Sequence, residues 1–162
     1  MATTIETGTA WDVHESPLGP LTLVSAGGRL RRLLFPGGGE PPGERRRTPE
    51  LAAAREQLEE YFAGGRERFE LPLEPLGSAS QSRVWERLRE VPYGATISYG
   101  ELAAAVGRPG EAREIGAVVG QTPLPILIPC HRVLGADGSL TGYGGGLARK
   151  RALLDLEALT LC

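Results

Sequence analysis

Cysteine and histidine are both scarce in this sequence. The 162 residues include two cysteines, Cys130 and Cys162, and two histidines, His14 and His131. The histidines lie far apart in the sequence, so no zinc-finger spacing exists, and neither a metal nor another cofactor is expected. A disulfide between Cys130 and Cys162 would involve a chain end that tends to fray. In a cytosolic chain we therefore expect both thiols to be free.

Long apolar runs are also missing. No segment reaches the roughly 20 apolar residues of a membrane span. The first residues, Met1–Glu6, lack the basic and then apolar pattern of a signal peptide. We therefore expect a soluble, cytoplasmic protein with no membrane partner. Hydrophobic residues make up 41% of the chain and charged residues 23%, which is typical of a globular protein.

Neither sign of charge dominates. The chain has 18 basic and 20 acidic residues, which gives a net charge of −2. This balance argues against a strongly basic nucleic-acid-binding protein, but DNA affinity depends on how charge is distributed over the surface. From Gly77 onward, nine Lys and Arg stand against eight Asp and Glu, whereas the preceding residues hold nine against twelve. The second half is therefore slightly less acidic.

Short apolar stretches separated by turn residues dominate the first half. They predict three strands joined by tight turns into an antiparallel meander, over residues 10–16, 19–25 and 29–35. Residues 36–49 are rich in Gly, Pro and Arg and predict a surface loop. Thr48-Pro49-Glu50 predicts the start of a helix that runs to about Ala63. Residues 71–75 predict an extended linker to a second domain.

The second half is predicted to be mainly helical. Four helices are expected, over residues 80–91, 99–106, 111–119 and 147–159. Ser80 or Ser82 is expected to cap the first of them, and Ser98 the second. A turn at Gly107-Arg108-Pro109-Gly110 joins the second and third helices in the plan of a helix-turn-helix. That plan also occurs in many proteins that do not bind DNA.

The two halves together indicate an α+β fold. We expect a small N-terminal antiparallel β-sheet domain with one helix, residues 1–76. A mainly helical C-terminal domain that contains the helix-turn-helix is expected to follow, residues 77–162.

One cysteine lies in a segment suited to chemistry. Cys130 stands in the run Pro129-Cys130-His131-Arg132-Val133, among prolines and glycines rather than in an apolar helical stripe. A free cysteine is often only a small buried hydrophobe. A neighbouring base or positive charge, however, lowers the pKa of a thiol and favours the reactive thiolate. From these residues alone both interpretations stay open.

His131 and Glu157 are the candidate partners of this thiol. In an extended segment, successive side chains point to opposite sides, so we expect His131 to act on Cys130 through a bridging water. Glu157, on the last helix, is a candidate to hold the imidazole in the required tautomer. The alternative for Glu157 is an exposed helix residue.

Other residues are candidates for contact with DNA or substrate. Arg113 lies near the start of the predicted recognition helix, where the helix dipole favours phosphate. The alternative is an arginine that is solvated or paired with Glu111 and Glu114. Tyr99 and Tyr143 are either substrate contacts or ordinary packing aromatics.

These motifs, in this order, resemble the O6-alkylguanine-DNA alkyltransferase family, also called methylated-DNA–protein-cysteine methyltransferases. The matching segments span most of the chain: Ser16–Leu21, Gln57–Gly64, Val91–Leu102, Pro125–Val133 and Gly142–Leu147, followed by Lys150. The resemblance implies a ribonuclease-H-like N-terminal domain and a helix-turn-helix alkyltransferase domain. It also implies a monomer that repairs O6-alkylguanine in double-stranded DNA by irreversible alkyl transfer to a cysteine. O4-alkylthymine is a further candidate substrate.

The resemblance implies a catalytic role for three matching residues. Cys130 corresponds to the alkyl acceptor, His131 to the residue that activates it through water, and Glu157 to the member that completes the network. The substrate pocket is expected to be formed by Val119, Thr122, Pro125, Val133, Tyr143 and Gly144.

Four residues correspond to DNA-contacting positions of the family. Tyr99 matches the tyrosine that helps to rotate the target nucleotide out of the duplex, a step that costs a few kcal/mol. Arg113 matches the arginine that fills the space the nucleotide leaves. Two small residues, Ala112 and Gly116, are expected to let the recognition helix approach the minor groove closely.

Several positions depart from the family pattern. Thr122 stands where asparagine is often found, and a threonine makes fewer of the hydrogen bonds that brace the adjoining turn. Gly144 replaces the serine of some members, which leaves only a backbone amide for the guanine oxygen. Glu111 and Glu114 add negative charge to a helix that would face phosphates. We therefore expect modest, salt-sensitive DNA affinity.

Three other functions fit parts of the sequence. An alkyltransferase-like protein, which binds the lesion without accepting its alkyl group, carries another residue at the position of Cys130. A cysteine hydrolase would need a direct pairing of Cys130 with the adjacent His131 and an oxyanion-hole loop, which is not evident. A helix-turn-helix regulator without transfer would leave the cysteine segment without a purpose.

Overall fold

The computed structural model describes residues 8–160 and confirms the α+β fold class. By its internal contacts the chain divides into two compact units, residues 1–75 and 76–162. Within the described residues, no helix combines the length and apolar character needed to cross a membrane. Cys162 lies outside the described residues, so the expectation that its thiol is free stays a prediction.

A four-stranded sheet forms the first unit. Its strands are β1 (Ala10–Ser16), β2 (Gly19–Ala26), β3 (Arg29–Leu34) and β4 (Glu44–Arg45), in the order β3-β2-β1-β4. The first three pair antiparallel, which confirms the predicted meander. β4 pairs parallel to β1 and lies inside the segment that was predicted to be only a loop. Arg45 holds it there, because its Nε lies 3.3 Å from the buried Asp12 Oδ1.

One helix, α1 (Pro49–Phe62), packs against this sheet. Thr48 caps it as predicted, since its Oγ1 accepts a hydrogen bond from the N–H of Leu51 (3.3 Å). The residues that fill the core of the unit are apolar side chains of the sheet and of α1: Leu21, Leu23, Leu30, Leu33, Leu51, Leu58 and Tyr61. The predicted linker is partly tied to β3, because Leu30 N–H donates to Pro72 O (2.8 Å).

The second unit begins with α2 (Ala79–Leu88). The predicted caps Ser80 and Ser82 are wrong, because Ser78 caps this helix. Ser78 Oγ accepts from the N–H of Gln81 (3.1 Å), and Gln81 Oε1 accepts from the N–H of Ser78 (2.9 Å). This reciprocal capping box satisfies two amides that would otherwise lack partners. The helix also ends at Leu88, earlier than predicted.

A helix-turn-helix follows, formed by α3 (Tyr99–Ala105) and α4 (Ala112–Gly120), which confirms the prediction. Ser98 caps α3 in a second capping box with Glu101. Just before α3, β5 (Ile97–Ser98) pairs parallel to β6 (Val133–Leu134). This pairing places the start of the helix-turn-helix beside the residues that directly follow the cysteine segment. The last helix is α5 (Leu147–Thr160).

Candidate active site

Cys130 begins a turn of 3-10 helix, Cys130–Arg132. The expectation of an extended segment is therefore wrong. The turn is held by the Arg132 N–H, which donates to Pro129 O (3.1 Å), and by the Val133 N–H, which donates to Cys130 O. On such a turn, successive side chains are rotated by about 120° rather than pointing to opposite sides. Cys130 and His131 thus share one tight turn of backbone.

The thiol of Cys130 is buried and protonated at rest. Cys130 is 5% exposed, and burial raises the pKa of its thiol to about 11. The Thr122 hydroxyl, the backbone amides of Cys130 and Ile126, and the ammonium of Lys150 shift this pKa downwards, but they do not offset burial. Because only a thiolate is strongly nucleophilic, reaction at neutral pH requires a base that removes the thiol proton.

The chain is strained shortly before Cys130. Ile126 has a φ of 74° and is the only residue other than glycine with a positive φ in the described part of the chain. A β-branched residue is a clear outlier in this region, at a cost of about 1–3 kcal/mol. The strained conformation accompanies a tight reversal in which Ile128 N–H donates to Leu124 O (2.8 Å). Burial of Ile126 holds the reversal in place.

His131 and Glu157 form a buried pair. His131 Nε2 lies 2.7 Å from Glu157 Oε2, with the two side chains 0% and 1% exposed. The alternative of an exposed Glu157 is therefore wrong. Burial lowers the pKa of His131 despite the neighbouring carboxylate, so the ring is neutral at rest. A carboxylate only accepts hydrogen bonds, so Nε2 carries the ring proton and Nδ1 keeps its lone pair.

His131 Nδ1 is the atom of this pair that is free to act. It is buried and has no hydrogen-bond partner among residues 8–160. A buried nitrogen with an unused lone pair is a competent proton acceptor.

Arg132 binds both oxygens of the same carboxylate and shares Oε2 with His131. Its Nε lies 2.8 Å from Glu157 Oε1 and its Nη2 2.9 Å from Oε2, while Nη1 donates to Val91 O at 2.7 Å. Burial tends to raise the pKa of Glu157, but hydrogen bonds and charges from His131 and Arg132 lower it to about 2. Because a guanidinium is always charged, Arg132 keeps Glu157 ionised even while His131 is neutral.

Sequence reasoning missed the contacts made by Arg132 and Lys150, although Lys150 was among the positions that match the family. Lys150 is fully buried, its Nζ donates to Thr141 O (3.0 Å), and this ammonium lies 5.9 Å from the centroid of the Tyr99 ring. Burial lowers the pKa of Lys150, and the Cys130 thiolate would raise it. Helical spacing offered a signal, because Lys150, Leu153 and Glu157 recur on one face of α5 and are all buried.

Arg113 lies on the surface of α4. It is exposed, and within residues 8–160 it makes no ion pair or hydrogen bond. The alternative that Glu111 satisfies it is wrong, because Glu111 Oε1 lies 2.9 Å from Arg108 Nη2 instead. Ala112, the first residue of α4, is half-buried. The guanidinium of Arg113 is therefore free to meet a partner outside the chain.

Tyr99 connects the helix-turn-helix to the glycine-rich loop. It is the first residue of α3 and is half-buried, and the Thr141 hydroxyl donates to its Oη (2.9 Å). Gly116, on α4, lies beside the ring: a Cβ at Gly116 would lie 3.5 Å from Tyr99 Cδ1. That separation is an ordinary contact, so packing against Tyr99 does not require glycine at this position.

The predicted pocket residues differ in burial. Val119 and Val133 are buried, and Gly144 is exposed. The half-buried residues are Thr122, Pro125 and Tyr143. Thr122 braces the end of α4 in spite of its departure from the family's asparagine. Its hydroxyl donates to Val119 O (2.6 Å), and its N–H donates to the same oxygen (3.2 Å). A Cβ at Gly144 would meet nothing within 4 Å, so a side chain has room there.

Two family models match consecutive parts of the chain. Residues 10–75 match the 6-O-methylguanine DNA methyltransferase, ribonuclease-like domain, and residues 79–159 match the 6-O-methylguanine DNA methyltransferase, DNA binding domain. The methylated-DNA–protein-cysteine methyltransferase of Mycobacterium tuberculosis is 48% identical over 146 residues, which cover 88% of each chain. The constitutive methylated-DNA–protein-cysteine methyltransferase of Bacillus subtilis is 40% identical over 154 residues, covering 90% of this chain and 93% of its own.

Solved structures give the same result. The crystal structure of Mycobacterium tuberculosis OGT in complex with DNA matches with a TM-score of 0.87 and 44% sequence identity, covering 93% of this chain and 94% of that one. The resemblance predicted from the sequence is confirmed. The chain belongs to the 6-O-methylguanine DNA methyltransferase family.

Proposed function

We propose that this protein repairs DNA by transferring the alkyl group of O6-alkylguanine in a duplex to Cys130, once per protein molecule. The observation that carries the proposal is a buried thiol followed directly by His131, whose ring is held by an ionised Glu157. Membership of the methyltransferase family supports it. Residues 77–162 form the proposed transfer domain, since they contain every one of these groups.

The proposed reaction moves one proton from Cys130 to the purine by way of His131, and one alkyl group from O6 to the sulfur. The Cys130 thiol gives its proton, through a bridging water, to His131 Nδ1, and Glu157 stabilises the resulting imidazolium. The thiolate attacks the alkyl carbon and forms an S–C bond. The C–O6 bond breaks and leaves its electron pair on O6, and the purine recovers the proton from His131. A thioether does not hydrolyse readily, so the protein is consumed.

The helix-turn-helix is the proposed DNA-binding element. A base inside a duplex cannot present O6 to a buried sulfur, so the nucleotide must first leave the stack. We propose that α4 docks in the minor groove through Ala112 and Gly116. Tyr99 helps to rotate the nucleotide outwards, and the exposed Arg113 fills the space it leaves. Such filling offsets part of the cost of unstacking.

The rotated guanine enters a pocket close to Cys130. We propose that the main-chain carbonyls of Cys130 and Val133 bind the guanine, that Tyr143 forms one wall, and that the amide of Gly144 meets O6. Val119, Thr122 and Pro125 support the pocket from the side of α4. O4-alkylthymine is a second candidate substrate of the same pocket.

The proposed partner is double-stranded DNA containing O6-alkylguanine, bound by a monomer without a cofactor. The relatives from Mycobacterium tuberculosis and Bacillus subtilis are bacterial proteins, and bacterial DNA lies in the cytoplasm. We therefore infer that the protein works in the cytoplasm of a prokaryotic cell.

Intact-mass measurement tests the proposal. The protein is mixed with an equimolar duplex that carries one O6-methylguanine, and then weighed. We expect a gain of one methyl group in each molecule, with no gain in Cys130→Ser, which differs by a single atom. The same duplex without the lesion is the control for adventitious modification.

Each other outcome indicates a different function. DNA binding without any mass gain would indicate a lesion-binding protein or a helix-turn-helix regulator. In a second reaction with an excess of the same duplex, repeated loss of methyl groups from the DNA, with the protein mass unchanged, would indicate a hydrolase. Either result would contradict the transfer to Cys130.

A further inference from the structure

Thr141 is held by two hydrogen bonds in a loop that has no regular secondary structure. Its hydroxyl donates to Tyr99 Oη (2.9 Å), and its backbone carbonyl accepts from the Nζ of the fully buried Lys150 (3.0 Å). The same ammonium lies 5.9 Å from the centroid of the Tyr99 ring. Thr141 is therefore fixed relative to both α3 and α5.

The backbone and the ring of Tyr99 are held by the helix-turn-helix. Its backbone belongs to the first turn of α3, which the capping box of Ser98 and Glu101 anchors. Its ring lies beside Gly116 of α4. The remaining freedom is the torsion of the phenol's C–O bond, which decides where the hydroxyl proton points. A hydroxyl has one proton and two lone pairs, so a bond accepted from Thr141 uses a lone pair and leaves that proton available.

We propose that Thr141 is a positioning residue for Tyr99, which it orients so that the phenolic proton is offered to an acceptor on the DNA. The acceptor is a phosphate oxygen of the rotated nucleotide, a group that the free base lacks. Thr141 does not touch the reacting atoms and acts only through the hydroxyl of Tyr99. This inference rests on the proposed function and on the proposed contact of Tyr99 with DNA.

Two substrates distinguish a role of Thr141 in orienting Tyr99 towards the DNA from a role in the transfer reaction itself. The first is a duplex with one O6-methylguanine, which requires nucleotide rotation; the second is the free base O6-methylguanine at saturating concentration, which does not. We expect Thr141→Val, which keeps the shape and removes the hydroxyl, to react about 3- to 10-fold more slowly with the duplex, the effect of one hydrogen bond. Its reaction with the free base should stay within about twofold of the wild type.

Two further variants test whether Thr141 acts through Tyr99. Thr141→Ser, which keeps the hydroxyl, should restore most of the rate with the duplex. In the background of Tyr99→Phe, which lacks the phenolic oxygen, adding Thr141→Val should change the rate by less than about twofold, because two residues that act through one bond are not additive. The free-base reaction also reports whether the active site of each variant is intact.

Three results would overturn the role of Thr141. They are an unchanged duplex rate in Thr141→Val, an equal loss with the free base, and a full additional loss in the Tyr99→Phe background. In each of them the wild type still transfers its methyl group, so the proposed function survives. A wild type that transfers nothing to Cys130 overturns the proposed function, and the role of Thr141 with it.

Discussion

Two substitutions around one carboxylate should move the pH dependence of alkyl transfer in opposite directions. In the proposed mechanism, transfer requires a neutral His131, so its rate should fall at the acidic pH where His131 becomes protonated. Glu157 raises the pKa of His131 and Arg132 lowers it. Glu157→Gln should therefore shift the acidic fall in rate to lower pH, whereas Arg132→Met should shift it to higher pH.

The size of each shift follows from the geometry. His131 Nε2 and Glu157 Oε2 are 2.7 Å apart, so the centres of charge of a protonated His131 and the carboxylate are about 4 Å apart. At an effective dielectric constant of 20, two unit charges at this distance interact by about 4 kcal/mol. This energy is an upper limit on what Glu157→Gln removes, so the pKa of His131 should fall in that variant. The charge of Arg132 acts on His131 less strongly than that of Glu157, so its removal should raise the pKa of His131 by a smaller amount. The maximal rate of Glu157→Gln should also fall, by up to about 1000-fold, because the imidazolium loses its counter-ion.

The assay is the rate of methyl transfer from a duplex, quantified by intact mass from pH 5.5 to pH 9. Each variant leaves a buried ion without its partner, which costs about 3–5 kcal/mol of stability, so circular dichroism must first show that it is folded. Arg132→Lys is the matched control, since it keeps the charge and loses the two-point contact. If both substitutions shift the profile in the same direction, or neither does, the assignment of His131 as the base is refuted.

Three further predictions concern other parts of the molecule. In a Cys162→Ala background, the rate at which iodoacetamide alkylates Cys130 should rise about tenfold per pH unit from pH 7 to pH 10, because the pKa of the thiol is about 11; a plateau below pH 9 would contradict its burial. Burial tends to raise the pKa of Asp12, but the Val13 amide, Arg55 and Arg45 lower it overall. Asp12→Asn should therefore reduce the free energy of unfolding at pH 7, by about 1–3 kcal/mol in urea denaturation. That loss should shrink as the pH falls below 4, since the stabilisation is present above the unfolded pKa and disappears on protonation. Arg113→Ala should leave the thermal midpoint of unfolding unchanged but weaken duplex binding. The slope of the logarithm of the binding constant against the logarithm of the salt concentration should become about one unit less steep. An unchanged slope would show that Arg113 is not in the DNA interface.

Local patterns were sufficient to predict most of the fold. Strands β1 to β3 alternate apolar residues and end at tight turns, and the helix-turn-helix is marked by Ser98 and by the glycine-containing turn. Both signals depend on residues that are close in sequence. The cap of α2 was misplaced because Ser78, Ser80 and Ser82 all have suitable side chains. Only Ser78 has a glutamine at the third helical position, Gln81, which completes the capping box.

The candidate site was less predictable, because its decisive contacts join distant segments. The motif around Cys130 was enough to propose Cys130 and His131, but the strained Ile126 in the reversal just before it has no signature in local propensity. Arg132 was seen only as a nearby positive charge. Its bidentate contact with Glu157 of α5 and its bond to Val91 O, three residues after the end of α2, exist only in the folded chain.

The high pKa of Cys130 fits a protein that reacts once. At pH 7, a thiol with a pKa of about 11 is ionised in roughly one molecule in ten thousand. Burial also keeps most electrophiles away from it. A thiol of ordinary pKa at the surface would be consumed by oxidants and small alkylating agents, and each such event would remove one molecule from use. In the proposed mechanism, His131, held by Glu157, supplies the missing base locally, so the thiolate would form where a rotated alkylguanine can meet it. Lowering the resting pKa, for example by opening the site to solvent, should therefore increase reaction with iodoacetamide without a matching increase in transfer from DNA.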